Sequence, residues 1–123
     1  VRDPFPEWEW WKDDAVKREL GLTDKVSADI DSFYQRRLRE VTPFVDEWRK
    51  QSDQLNQMTQ ERKVDESTFA VQVARVEALS SRLRESRAVM LYHIYLKLTP
   101  EQFSKLPDIR MRHFQRGRDG SPR

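Results

Sequence analysis

The chain has 123 residues, of which 36% are charged and 37% hydrophobic, and its net charge is +2. That length suits one domain, and the apolar content is too low for a thick globular core; a thin seam between long helices, or a partner covering part of the surface, fits better. Three glycines and no cysteine exclude phosphate-cradling loops, nucleophile elbows, disulfides and thiolate metal sites, each of which needs those residues in a fixed pattern.

Residues 1–11, VRDPFPEWEWW, open with prolines at 4 and 6 that forbid an early helix. Trp8, Trp10 and Trp11 follow, and an arm packing its aromatic rings onto helices is expected there, the alternative being an exposed aromatic binding patch. KDDAVKREL, residues 12–20, suits a short helix with Asp13 and Asp14 at its positive end. Gly21 is a natural stop, because glycine takes the left-handed conformation at no steric cost.

Thr23 is the expected N-cap of the next helix, with Asp24 in its first turn. Tyr34, Leu38, Val41, Val45 and Trp48 step by 4, 3, 4 and 3, Ser52 keeps the rhythm and Leu55 resumes it. This is the seam of a long amphipathic helix, and no period-two alternation suggests a strand. Pro43 predicts a kink rather than a break, since the apolar phase continues across it. Residues 59–63 are polar. Asp65 then caps a second long helix, flanked by Val64 and Phe69 as a hydrophobic staple. Its seam runs Phe69, Val73, Val76, Ser80, Leu83, Arg87, Met90 and Ile94. Val89, Leu91, Tyr92, Tyr95 and Leu96 widen the apolar surface near its end.

Leu98-Thr99-Pro100-Glu101-Gln102-Phe103 is the strongest local signal. Thr99 caps, Pro100 occupies the first helical position, Gln102 completes a capping box, and Leu98 with Phe103 forms a staple. The helix is expected to reach about Phe114, with Pro107 perturbing it and able to divide it into two short pieces. The domain is thus expected over 1–114, with a basic disordered tail over 115–123. The expected fold is all-α: a long antiparallel helical hairpin with short flanking helices. One such hairpin cannot bury both broad faces, so a homodimer is expected.

Leu98-Thr99-Pro100-Glu101-Gln102 is an LTxxQ box. Leu22-Thr23-Asp24-Lys25-Val26 is a degenerate copy with valine in place of glutamine. Together with Trp10-Trp11-Lys12-Asp13 and Leu20-Gly21, the chain from about Trp10 to Leu106 resembles the LTxxQ family of small bacterial periplasmic proteins. That family contains the Spy and CpxP-type stress proteins and heavy-metal-resistance sensors. The resemblance implies a hairpin dimerising into a curved cradle. It implies a periplasmic address, soluble after signal cleavage or as part of an anchored protein. It also implies either chaperone-like binding of unfolded or envelope proteins, or metal sensing with signalling to a membrane partner. A signal peptide, an anchor or other upstream sequence is expected before Val1.

For metal, histidines one helical turn apart would share an ion. Only His93 and His113 are present, neither with a histidine four residues away, and Lys97 stands four residues after His93. A divalent metal is therefore not favoured, and His93 is a weak candidate ligand that reads more simply as a packed histidine. Catalysis is not expected, since carboxylates alternate with Lys and Arg as on a solvated face, and no cofactor is implied. Nucleic-acid binding is not expected either, because Asp108 and Asp119 interrupt the basic residues of the tail. Protein binding fits best. The candidate client-binding residues are Phe33, Arg37, Phe44, Trp48, Arg82 and Arg87; core packing is the plainer role for the aromatics and surface charge for the arginines. Leu22, Thr23, Leu98, Thr99 and Gln102 are expected to serve as helix-start residues.

Overall fold

Helically spaced apolar positions become helices along the chain. The computed structural model describes residues 8–119, with side chains to 116. A 3-10 turn at Trp10–Lys12 is followed by α1 (Asp14–Leu20), α2 (Asp24–Glu61), α3 (Glu66–Tyr95) and α4 (Pro100–Asp119). The described residues contain no strand, so the all-α reading holds.

The starts and stops obey local chemistry. Asp13 Oδ1 accepts from the amides of Ala15 and Val16 and caps α1, so the helix opens at Asp14, two residues later than the expected start at Lys12. Gly21 ends α1 at φ 70°, a left-handed conformation costly for any residue with a Cβ. Thr23 Oγ1 accepts from Val26 N at 3.2 Å, and Asp65 Oδ1 from Thr68 N at 2.8 Å. Hydrogen bonds from the Thr68 hydroxyl and amide hold the Asp65 carboxyl below its ordinary range. α2 continues through Pro43 without a break. An interior proline costs about 3 kcal/mol, and buried Val41 and Val45 on either side offset that by keeping the helix packed.

The chain falls into two compact units, and α2 and α3 contribute to both. One unit contains Gln35–Leu91. Its buried apolar residues are Val41, Val45, Trp48, Val76, Leu83, Met90 and Leu91, each worth roughly 1.5–3 kcal/mol for a full-sized side chain removed from water. Trp48 Nε1 donates to Ser80 Oγ at 2.6 Å. Gln72 is wholly buried, and its Nε2 donates to the backbone oxygen and to Oε1 of Gln51, both at 2.9 Å. These bonds satisfy an amide that would otherwise be costly to bury. As the α2 partners ascend, the α3 partners descend.

The other unit contains Trp8–Tyr34 and the chain from Tyr92 onward. Trp10 and Trp11 are fully buried, with Ile30, Tyr34, Ile94, Leu106 and Ile109 among the core residues. The two indoles meet edge-on, with centroids 5.3 Å apart, and Trp11 lies 5.0 Å from Tyr34. Its Nε1 donates to Asp31 Oδ1 at 3.1 Å, and its carbonyl accepts from the Ser27 hydroxyl. Trp10 and Trp11 are therefore core residues, not an exposed patch, and Trp8 is half-buried; residues 1–7 of the expected arm lie outside the described residues.

Two expectations about the last helix change. Pro107 does not split α4, because buried Leu106 and Ile109 anchor the chain on both sides of it. The tail expected from residue 115 is helical through Asp119, and residues 120–123 lie outside the described residues. The Arg112 guanidinium pairs with Glu19, and Trp8 stacks on His113 at 3.6 Å and 7°. These contacts tie α4, just before residue 115, to Trp8 and α1.

Candidate functional site

The second LTxxQ box is a structural joint. Thr99 Oγ1 accepts from Gln102 N at 3.2 Å, and Gln102 Oε1 accepts from Thr99 N at 3.0 Å. This is the reciprocal capping box. The Gln102 amide also donates from Nε2 to the Gly21 carbonyl at 3.2 Å. One side chain thus starts α4 and binds the residue just before the degenerate Leu22-Thr23 copy. Leu22 and Leu98 are buried beside these caps. Phe103 stays 46% exposed and lays its ring 5.2 Å from Tyr95.

In the Gln35–Leu91 unit, Phe44 and Arg82 come together. The Arg82 guanidinium carbon sits 4.6 Å from the Phe44 ring centroid, and Phe44 remains 37% exposed. A cation over an exposed ring is worth about 0.5–1 kcal/mol, enough to bias a side chain but not to lock it. Arg37 is half-buried, with its NH1 nitrogen 3.4 Å from Glu40 Oε2. Its Nε is buried without a hydrogen-bond acceptor. Arg87 is also half-buried. Trp48 is only 5% exposed, and its indole N–H is committed to Ser80. Its burial follows from its position in the seam and removes it as a client contact in this chain.

In the other unit, His93 and Lys97 converge on the half-buried ring of Phe33. The His93 ring lies 5.7 Å from it, and the Lys97 ammonium 5.7 Å from its centroid. The sequence singled out Phe33 and His93 separately; their spacing to Lys97 gave no reason to join them. An ammonium on the same ring is a poor neighbour for a divalent cation. Among the described residues no group of three His, Cys, Asp or Glu is placed to hold a metal ion.

A shallow depression in this unit is lined by Asp14, Lys17, Arg18, Gly21, Leu22 and Asp24. Lys17 Nζ lies 2.8 Å from Asp24 Oδ1. The hydrogen bond and opposite charge raise the Lys17 pKa and lower that of Asp24. This pair steadies the α1–α2 turn; it provides neither a nucleophile beside a base nor an oxyanion cradle. No helix among the described residues is long and apolar enough to cross a membrane.

No family model, curated protein or solved structure matches the chain.

Proposed function

We propose that the protein binds unfolded or envelope polypeptides in the bacterial periplasm without ATP, as a homodimer of antiparallel helical hairpins forming a curved cradle. The observation that carries this reading is the Phe44–Arg82 pair, an exposed aromatic ring with a guanidinium over it. Such a spot offers apolar area and positive charge together. It attracts segments rich in apolar and acidic residues without requiring one sequence, and it releases them readily. Arg37 and Arg87 extend the basic character, and Phe33 with Lys97 repeats the ring-and-cation theme.

Two further observations support the hairpin and the family resemblance. The descending order of α3 partners along α2 is that of antiparallel helices. The Gln102 bond to Gly21 gives the LTxxQ glutamine a specific task. The alternative, a heavy-metal sensor domain signalling to a membrane partner, would rest on His93, where Lys97 opposes a cation.

The test is aggregation of a chemically unfolded client, diluted into buffer without nucleotide and followed by light scattering. The protein at equimolar ratio is expected to slow it, and Phe44→Ser with Arg82→Glu to slow it less while keeping the wild-type helix content. No effect on any of several clients would refute the reading.

A further inference from the structure

One face of α4 is left uncovered. By helical spacing Phe103, Met111 and Phe114 share a stripe about 100° away from buried Leu106 and Ile109, and they are 46%, 59% and 57% exposed. The stripe continues onto the end of α3. There Tyr95 touches Phe103 and accepts a hydrogen bond from Arg110 through its hydroxyl. Tyr92 and Leu96, one helical turn apart, are 62% and 61% exposed.

We propose that this patch is the docking surface for a second copy of the chain, with the two α4 helices packed antiparallel about a two-fold axis near Asp108 and Ile109. The proposal rests on the dimeric reading above and specifies its interface. Area is the first argument. Side chains of this size present on the order of 200 Å² each, so the exposed fractions leave roughly 600 Å² of contiguous, largely apolar surface. Two copies together approach ~1,200 Å², the lower edge of a stable interface.

Charge is the second argument. The antiparallel register sets each Phe103 beside Phe114 of the second copy. It also sets the two helix dipoles in opposition, each helix start lying level with the far end of the other copy. An anionic lipid surface fits less well. Lys105, Arg112 and Arg116 lie on the far side of α4 from the stripe by helical spacing, and Arg112 is already paired with Glu19. A basic rim flanking the apolar face is what a membrane-surface helix needs.

Sedimentation of the full chain over a range of concentrations tests the proposal. The wild type is expected to dimerise at micromolar concentration. Met111→Asp with Phe114→Asp is expected to weaken the dimer about 30-fold or more, as for central interface residues, with helix content unchanged by circular dichroism. Phe103→Glu alone is expected to weaken association, and adding Phe114→Lys, which the register sets beside it in the second copy, to restore it in part; these exposed positions carry the test if the aspartate variant fails to fold. A double-aspartate dimer as tight as wild type, or no restoration by the added lysine, overturns the α4 interface while leaving the dimer reading intact. A wild type monomeric at ~100 μM overturns both. Sedimentation of that monomer with anionic phosphatidylglycerol vesicles, lost in the aspartate variant, would give the patch to lipid and overturn the proposal.

Discussion

Gln102 makes the sharpest prediction. Sequence reasoning alone ranks Gln102→Ala below Thr99→Ala in cost, because the threonine still caps the helix without the glutamine. The structure reverses that order. Thr99→Ala removes one cap bond, worth about 1 kcal/mol. Gln102→Ala removes the bond accepted from Thr99 N and the bond donated to the Gly21 carbonyl, whose residues are 81 positions apart. At about 0.5–1.5 kcal/mol for each, the loss is about 1–3 kcal/mol. For a chain of this length that corresponds to a Tm decrease of roughly 4–12 °C. Gln102→Glu isolates the long-range bond. It keeps an acceptor for Thr99 N and adds a favourable charge in the first turn, but it points a carboxylate oxygen at the Gly21 carbonyl. Thermal melts followed by circular dichroism at pH 7 should place Gln102→Glu below wild type despite the better charge. A Gln102→Glu variant as stable as wild type, with Gln102→Ala milder than Thr99→Ala, would refute the joint between the two motif copies.

Other predictions follow from single contacts. Ser80→Ala leaves the buried Trp48 N–H without its acceptor and should cost about 1–3 kcal/mol in urea unfolding; adding Trp48→Phe should recover part of that loss, and strict additivity would contradict a coupled pair. The lowered pKa values of Asp24 and Asp65 mean that their contributions are present above the ordinary carboxylate value of 3.8 and are lost as pH falls through their lower folded values. The Lys17 contribution is present below its ordinary value of 10.5 and lost as pH rises through its higher folded value. Tm should therefore fall on the acid side below the ordinary carboxylate range, less steeply in Asp65→Asn, and an unchanged acid limb in that variant would remove Asp65 from the account. Zinc titration by calorimetry is expected to give no stoichiometric micromolar binding; such binding, lost in His93→Ala, would favour the sensor role.

The parts legible in the sequence are those decided within one helical turn. The caps at Thr23, Asp65 and Thr99 and the stop at Gly21 depend on residues three or four positions apart, so residue type and spacing suffice. The seams at Val41, Val45 and Trp48, and at Leu83, Met90 and Ile94, were legible for the same reason. What was hidden depends on distant partners. Gln72 is a polar residue beside the seam rather than on its rhythm, and only the oxygens of Gln51 make its burial tolerable. The docking of α4 at Arg112 and His113 rests on Glu19 and Trp8, contacts that no local pattern encodes. Within the candidate site, the sequence named Phe44 and Arg82 without pairing them, because they stand on different helices. It offered Trp48 as a candidate client contact with core packing as the plainer role, and the 4, 3 spacing that marked the seam agrees with the burial found.

The most direct test of client binding is a photo-crosslinking amino acid placed at Phe44, with a second placed at exposed Lys50 as control, in the presence of an unfolded client and of the same client folded. The account expects strong crosslinking from position 44 to the unfolded client, little to the folded one, and little from position 50 to either. Equal yields from both positions, or none from position 44, would contradict it.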